Sequence, residues 1–230
     1  MEILKSKKNK KILIIAAHPD DEILGCGGLI AKYKDKNKIQ VIFLTNGVSA
    51  REPKNVSIEF RKKECLNLFK FLNLNKPFFL DFPDNKLDTV PLLKIVKKIE
   101  YIIKKFKPNL VLTHYENCLN IDHKIAYQAT ITACRPLKKF DFINQIVSFE
   151  VPSSTEWNVS NKWIFKPNIY LEISKEIKKK INYLKFYKSE IKIYPHSRSI
   201  KGLKAVAAYR GIASGFNFAE AFLLVRKRIK

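Results

Sequence analysis

Residues 17–22 read Ala-His-Pro-Asp-Asp-Glu, which places a histidine and three carboxylates on one short turn. His18 and Asp21 stand at i, i+3 around the proline, where both can take the same cation. His123 can add a third ligand from a distant segment, and three protein ligands with one open position are what a hydrolytic zinc requires. Such a cation lowers the pKa of a bound water from ~16 to ~7 and polarises a carbonyl. A free carboxylate nearby can then take the proton. Asp20 is next to Asp21 but points elsewhere, so it is the candidate general base. Of the chain's four histidines, the other two are His114, which closes an apolar run, and His196, inside Tyr-Pro-His-Ser-Arg-Ser. The same residues also have plainer readings. His-Pro can be a strand-end turn, Asp-Asp-Glu can charge a helix N-terminus, Asp122 can cap the helix that His123 opens, and His196 can lie on the surface.

A site made from two distant segments needs a scaffold that brings residues 18 and 123 together. Residues 12–17 form a continuous apolar run followed by helical patterning, which reads as a strand buried on both faces of a parallel sheet. Polar side chains at its C-terminal end then sit where open α/β sheets bind ligands. Residues 22–35 read as a helix whose Gly25, Gly27 and Gly28 permit close packing on that sheet. Further strands at 39–45, 77–82 and 109–114 alternate with helices at 56–73, 91–107 and 123–134. The helix at 91–107 has the clearest apolar stripe, from Leu92 through Ile95, Ile99 and Ile103 to Phe106. That at 56–73 sets Phe60, Cys65, Leu66 and Phe69 against a polar face with Arg61 and Glu64.

Four β-α units with right-handed crossovers predict a Rossmann-like α/β fold, a doubly wound, mostly parallel sheet with helices on both faces. The strands ending at His18 and His114 are candidates for the centre, so their loops should converge. Later residues are less regular: strands at 145–151 and 168–173, a loop at 153–167, and helices at 174–190 and 199–209. No repeat or linker-like tract divides the chain, so a single domain over 1–230 is expected, with 1–10 a flexible basic tip.

Composition narrows the function. With 46% hydrophobic and 28% charged residues over 230 positions, the chain reads as an ordinary soluble globular protein. No run approaches the ~18–20 apolar residues of a membrane span. The basic start followed by an apolar run mimics a signal peptide, but the run is short and ends in charged residues. Cys26, Cys65, Cys118 and Cys134 form no CxxC pair, which argues against a zinc knuckle or disulfide framework and fits a reducing cytoplasm. The net charge of +23 is spread from Lys5 to Lys230 and is not interleaved with aromatics in a nucleic-acid module. Its expected use is attraction of a small anionic substrate, not specific nucleic-acid binding.

Ala17–Glu22, followed about a hundred residues later by Thr113–His123, resembles the PIG-L/LmbE-like family of metal-dependent de-N-acetylases. The resemblance spans nearly the whole chain. It continues through Thr45-Asn46-Gly47, through Arg61 and Glu64, and through Arg210-Gly211, Gly215 and Ala219–Phe222 near the end. It implies His18, Asp21 and His123 as zinc ligands, with iron(II) able to occupy the same set, and Asp20 as the base. It also implies Arg61 as a substrate contact and Asp84 as a partner of a sugar hydroxyl, with Asn46 and Arg210 among the substrate-binding residues. The second motif departs from the family's His-Pro-Asp-His, reading Asn120-Ile121-Asp122-His123. Asn120 can donate to an oxyanion but cannot deliver a proton. The acid role therefore falls to His196, His114 or a returning proton on Asp20, with His196 favoured, and Asp122 orients a neighbouring histidine or substrate group.

The expected reaction is hydrolysis of an N-acetyl group from an amino sugar, free or phosphate- or nucleotide-linked, giving acetate and a free amine. Two rivals remain. Two histidines and a carboxylate also make the facial triad of a mononuclear non-haem iron enzyme, and a basic α/β protein can bind nucleotides or nucleic acid without catalysis. A Rossmann dehydrogenase is disfavoured, since the first strand runs into His-Pro-Asp-Asp-Glu and not a phosphate-cradling glycine turn.

Overall fold

A computed structural model describes residues 9–48, 57–159 and 164–229. The expected basic tip falls mostly on residues outside these. Strands β1 (Lys11–Ala16), β2 (Lys38–Thr45), β3 (Phe78–Phe82), β4 (Leu110–His114), β5 (Gln145–Phe149), β6 (Ile169–Glu172) and β7 (Ala219–Lys227) form one sheet in the order β3-β2-β1-β4-β5-β7-β6. β3, β2, β1, β4 and β5 are mutually parallel. β7 lies between β5 and β6 and runs antiparallel to both.

Each strand residue faces one side or the other, and both sides are covered. Ile12, Ile14 and Ala16 pack into a core with α1 (Asp21–Tyr33), α2 (Ile58–Phe71), α5 (Ile177–Leu184) and α6 (Ile200–Ile212). Leu13, Ile15 and Ala17 face α3 (Leu92–Phe106) and α4 (Ile121–Ala133). Two-sided burial is why β1 reads as an unbroken apolar run, each such side chain contributing roughly 1.5–3 kcal/mol.

Glycines let α1 lie close to the sheet, as its sequence suggested. A Cβ on Gly25 would overlap the Phe149 ring, and one on Gly28 would come 2.6 Å from Ile173 Cγ2. The buried Lys180–Glu220 ion pair (2.7 Å) lies across the same helix: Lys180 donates to Leu24 O, and Glu220 accepts from the N–H groups of Gly28 and Leu29.

Three differences from the sequence reading stand out. The helix expected at 174–190 stops at Leu184, and a short 3-10 turn follows at Lys188–Glu190. The chain turns inward there, burying Tyr187, whose hydroxyl donates to Glu22 at 2.6 Å. The closing segment, given no element from its pattern, is the antiparallel strand β7. On α2, Phe60 is 50% exposed while Arg61 is 1% exposed, the reverse of the hydrophobic pattern. All four cysteines are free and buried, and among the described residues no helix is long and apolar enough to cross a membrane.

Candidate metal centre and active site

The strand order reverses between β1 and β4, so their C-terminal ends flank the crevice where a doubly wound sheet takes its ligand. β1 leads into His18, β4 ends at His114, and α4 begins at Ile121 with Asn120 as its N-cap. The turn after β1 is under conformational tension. Asp20 has φ 132°, ψ −30°, a region that non-glycine residues rarely occupy. It is held there because its N–H donates to Glu22 Oε2 (2.9 Å) while its carbonyl accepts from Ile23 and Leu24 at the start of α1. Thr45 ties the loop from below by donating to Ala17 O (3.0 Å), and Gly47, at φ +71°, packs against Pro19.

Three donor atoms converge above this turn. His18 Nδ1 lies 3.1 Å from Asp21 Oδ2, and His123 Nε2 lies 3.4 Å from each of them. Those spacings are close to roughly 3.3 Å, the edge of a tetrahedron with ~2.0–2.1 Å zinc–ligand bonds. The donor set therefore fits a divalent cation, and Asp21 Oδ1 is buried with no hydrogen-bond partner, leaving that carboxylate unsaturated. Both histidines are held from behind. His18 Nε2 lies 3.1 Å from both Asp122 Oδ2 and Asp84 Oδ1, and His123 Nδ1 lies 3.1 Å from Cys118 Sγ. Asp122 also accepts from the backbone N–H groups of Asn85 (2.7 Å) and Leu87 (3.0 Å), joining the loop after β3 to α4.

The electrostatics favour positive charge at this point. Burial alone would raise the Asp21 pKa, but His123, His114 and His18 together hold it well below the usual carboxylate range. Burial likewise opposes protonation of His18 and His123. Asp21 and the other acidic partners overcome it, pushing His123 up to about 9 and His18 well above its ordinary value. The acidic surroundings that raise these two imidazoles would equally favour a bound cation.

Beside the triangle is a small polar cleft of about 60 Å³, lined by His18, Asp20, Asp84, Asn120 and Arg198 together with Gly47 and Asn85. Burial pushes Asp20 up to about 7 against the pull of Arg198, with Glu190 and Asp21 adding to the rise. Arg198 Nη1 lies 3.2 Å from Asp20 Oδ2 and 3.1 Å from Glu190 Oε2, while its Nε donates to Ser153 Oγ (2.7 Å) and Pro152 O (3.2 Å). Glu190 in turn takes Arg61, which also donates to Ser189 Oγ at 2.9 Å.

The candidates from sequence fall into two groups. His18, Asp20, Asp21, Asp84, Asn120, Asp122 and His123 are brought together. Asn120 is committed through Oδ1 to capping α4, and its amide donates to Asn85 Oδ1 at 3.0 Å on the cleft wall. The others do not line the cleft, although His114 Nε2 lies 3.5 Å from Asp21 Oδ2. His114 is fully buried, stacks on His123 (ring centroids 3.9 Å), and accepts the Ala17 N–H at Nε2. Burial and the neighbouring His123 hold its pKa well below the ordinary value. His196 packs on Trp157 and accepts the Arg198 N–H, and it does not line the cleft. Arg61 sits under Glu190, not on the cleft wall; Asn46 accepts the Val48 N–H within its own turn; Arg210 is paired with Glu150 (2.8 and 2.6 Å). Sequence reasoning missed Arg198, Glu190 and Cys118. Arg198 had a signal, since it lies in the Tyr-Pro-His-Ser-Arg-Ser segment singled out for its histidine.

Fold and site together define a class: doubly wound α/β proteins with a two-histidine, one-carboxylate donor set at the switch point. Within that class the chain belongs to the PIG-L family, described as GlcNAc-PI de-N-acetylase, whose sequence model matches residues 13–134. The family is one of de-N-acetylases, hydrolases acting on amide bonds. An uncharacterized deacetylase, YaiS, of Escherichia coli is 31% identical over 74% of this chain and 86% of its own length. A diacetylchitobiose deacetylase of Thermococcus kodakarensis is 30% identical over 94% of this chain and 83% of its own. The crystal structure of an N,N'-diacetylchitobiose deacetylase from Pyrococcus horikoshii superposes with a TM-score of 0.76 at 19% identity, covering 97% of this chain and 89% of that one.

Proposed function

We propose that the protein is a divalent-metal-dependent hydrolase that removes the N-acetyl group from an amino sugar or its conjugate, giving acetate and a free amine. The observation that carries this reading is the triangle of His18 Nδ1, Asp21 Oδ2 and His123 Nε2, with Asp20 beside it in the same cleft. Zinc held by these three residues, or iron(II) on the same ligands, supplies Lewis acidity toward the amide carbonyl and acidifies water. Asp20, buried and held by Arg198, takes a proton from the attacking water as the new C–O bond forms. The same carboxyl returns that proton to the amide nitrogen as the C–N bond breaks. Asn120 cannot serve as the acid, and neither His114 nor His196 lines the cleft. Asp122 and Asp84 orient His18, while the Asn120 amide and the Arg198 guanidinium are donors on the cleft wall for sugar oxygens.

The charge of +23 favours an anionic, phosphate- or nucleotide-linked sugar over a neutral one. The test is acetate release from a panel of N-acetylated amino sugars, free and phosphate-linked, with metal-stripped and metal-reloaded protein. Release that requires the metal is the expected result, and no release from any member by loaded protein would reject the reading.

A further inference from the structure

Metal-bound histidines usually give their second N–H to a carboxylate, a carbonyl oxygen or water, which sets the tautomer and sharpens the ligand. His123 departs from that habit. The partner of its Nδ1 is the sulfur of Cys118, at 3.1 Å. The backbone that carries the sulfur is itself tied down. The Cys118 N–H donates to Tyr115 O (3.2 Å), and the next residue, Leu119, donates to Ser154 O (3.1 Å). Thr155 Oγ1, which accepts the Val151 N–H (2.9 Å), lies 3.5 Å from the sulfur, within reach of a hydrogen bond to the thiol. The His123 ring plane is set independently by stacking on His114, at 19° between planes. Cys118 is 1% exposed and does not line the cleft, so the thiol is out of reach of substrate.

We propose that Cys118 is a positioning residue for the metal centre: its sulfur accepts the Nδ1–H of His123 and holds the neutral ring in the tautomer whose Nε2 lone pair faces His18 Nδ1 and Asp21 Oδ2. The inference rests on the metal reading above and extends it to a residue that touches neither substrate nor cation.

Zinc affinity of the full chain, measured by chelator competition for the wild type, Cys118→Val and Cys118→Ser, tests it. Valine keeps the volume and removes the acceptor; serine keeps an acceptor. Cys118→Val should bind zinc ~10–100-fold more weakly, and Cys118→Ser should recover most of that loss. Valine binding as tightly as the wild type, or serine as weakly as valine, would reduce Cys118 to a space-filling residue and overturn the proposal. A second measurement needs no variant. In the zinc-loaded wild type, the 15N shifts of the His123 ring should show Nδ1 protonated, and the opposite tautomer overturns the assignment. A wild type that binds no zinc defeats the metal reading and this inference together, whereas tight wild-type binding with an unaffected valine variant defeats only the inference.

Discussion

At the scale of single residues, Asp20 and Asp21 are adjacent carboxylates with opposite protonation behaviour. The φ of 132° at Asp20 sends its side chain to Arg198 while Asp21 turns to the histidines. Burial raises the pKa of the first to about 7, and the imidazoles depress that of the second. Such a split is what the proposed roles, Asp20 as base and Asp21 as ligand, require. Asp20→Asn should keep the ligand triangle and its metal yet lower kcat by ~10²–10⁴-fold, as read from acetate release with metal content measured in parallel. Because the working form of Asp20 is the carboxylate, kcat/KM should fall as pH drops. A bound cation pulls that group downward, so the acid limb should appear at or below pH 7. His123→Ala removes one corner of the triangle, and metal analysis of the purified variant should find far less than one equivalent; stoichiometric zinc would take His123 out of the ligand set.

At the scale of elements, α1 carries the site and is itself held by buried polar groups. Glu22 receives the Asp20 N–H and the Tyr187 hydroxyl, and its burial pushes its pKa up to about 8 despite both bonds. With its pKa raised to about 8, Glu22 keeps a proton in the fold that the unfolded chain releases near 4.5. That contribution is complete below about pH 4.5 and is lost as pH rises to about 8, at up to ~1.4 kcal/mol per pH unit. Glu22→Gln should remove this downward slope, as measured by urea unfolding of metal-free protein between pH 5 and 8; an unchanged slope would show that Glu22 is ionised in the fold. The close seat of α1 is tested at Gly25. Alanine there gains helix propensity, but its Cβ meets the Phe149 ring, which packs on His114 at 4.8 Å between centroids. Overpacking should win, so Gly25→Ala should lose about 1–3 kcal/mol of stability, seen as a lower urea midpoint.

At the scale of the whole molecule, the site closes a long circuit. His18 and Asp21 follow β1 and His123 lies on α4, so a cation bound by all three ties elements about a hundred residues apart. Binding to the folded state alone stabilises by ~2.7 kcal/mol at a hundredfold excess over Kd, or roughly 5–10 °C in melting temperature for a chain of this size. Adding zinc should produce a shift of that order in the wild type, and His123→Ala should show little of it, both by calorimetry. Arg61, Glu190, Arg198 and Asp20 form a second circuit, an alternation of charges from α2 through the 3-10 turn after α5 to the base.

Much of this was legible along the chain. The run into His18 marked a strand buried on both faces, the α3 stripe marked a helix on one of them, and the residue types at 18, 21 and 123 marked a candidate donor set that the fold brings together. Those are local properties: periodicity records how many faces a segment buries, and ligand chemistry is a matter of residue type. What only the tertiary structure decided is who meets whom. Hydrophobic patterning put Arg61 on a solvent face, yet it is buried because Glu190, far along the chain, neutralises it. Arg198, not His196, reaches the cleft because it is the side chain caught between two carboxylates contributed by other elements. β7 turns antiparallel between β5 and β6, a pairing that no single stretch encodes. Residue type determined which chemistry was available, and long-range charge pairing and strand pairing determined which residues stand in place to perform it.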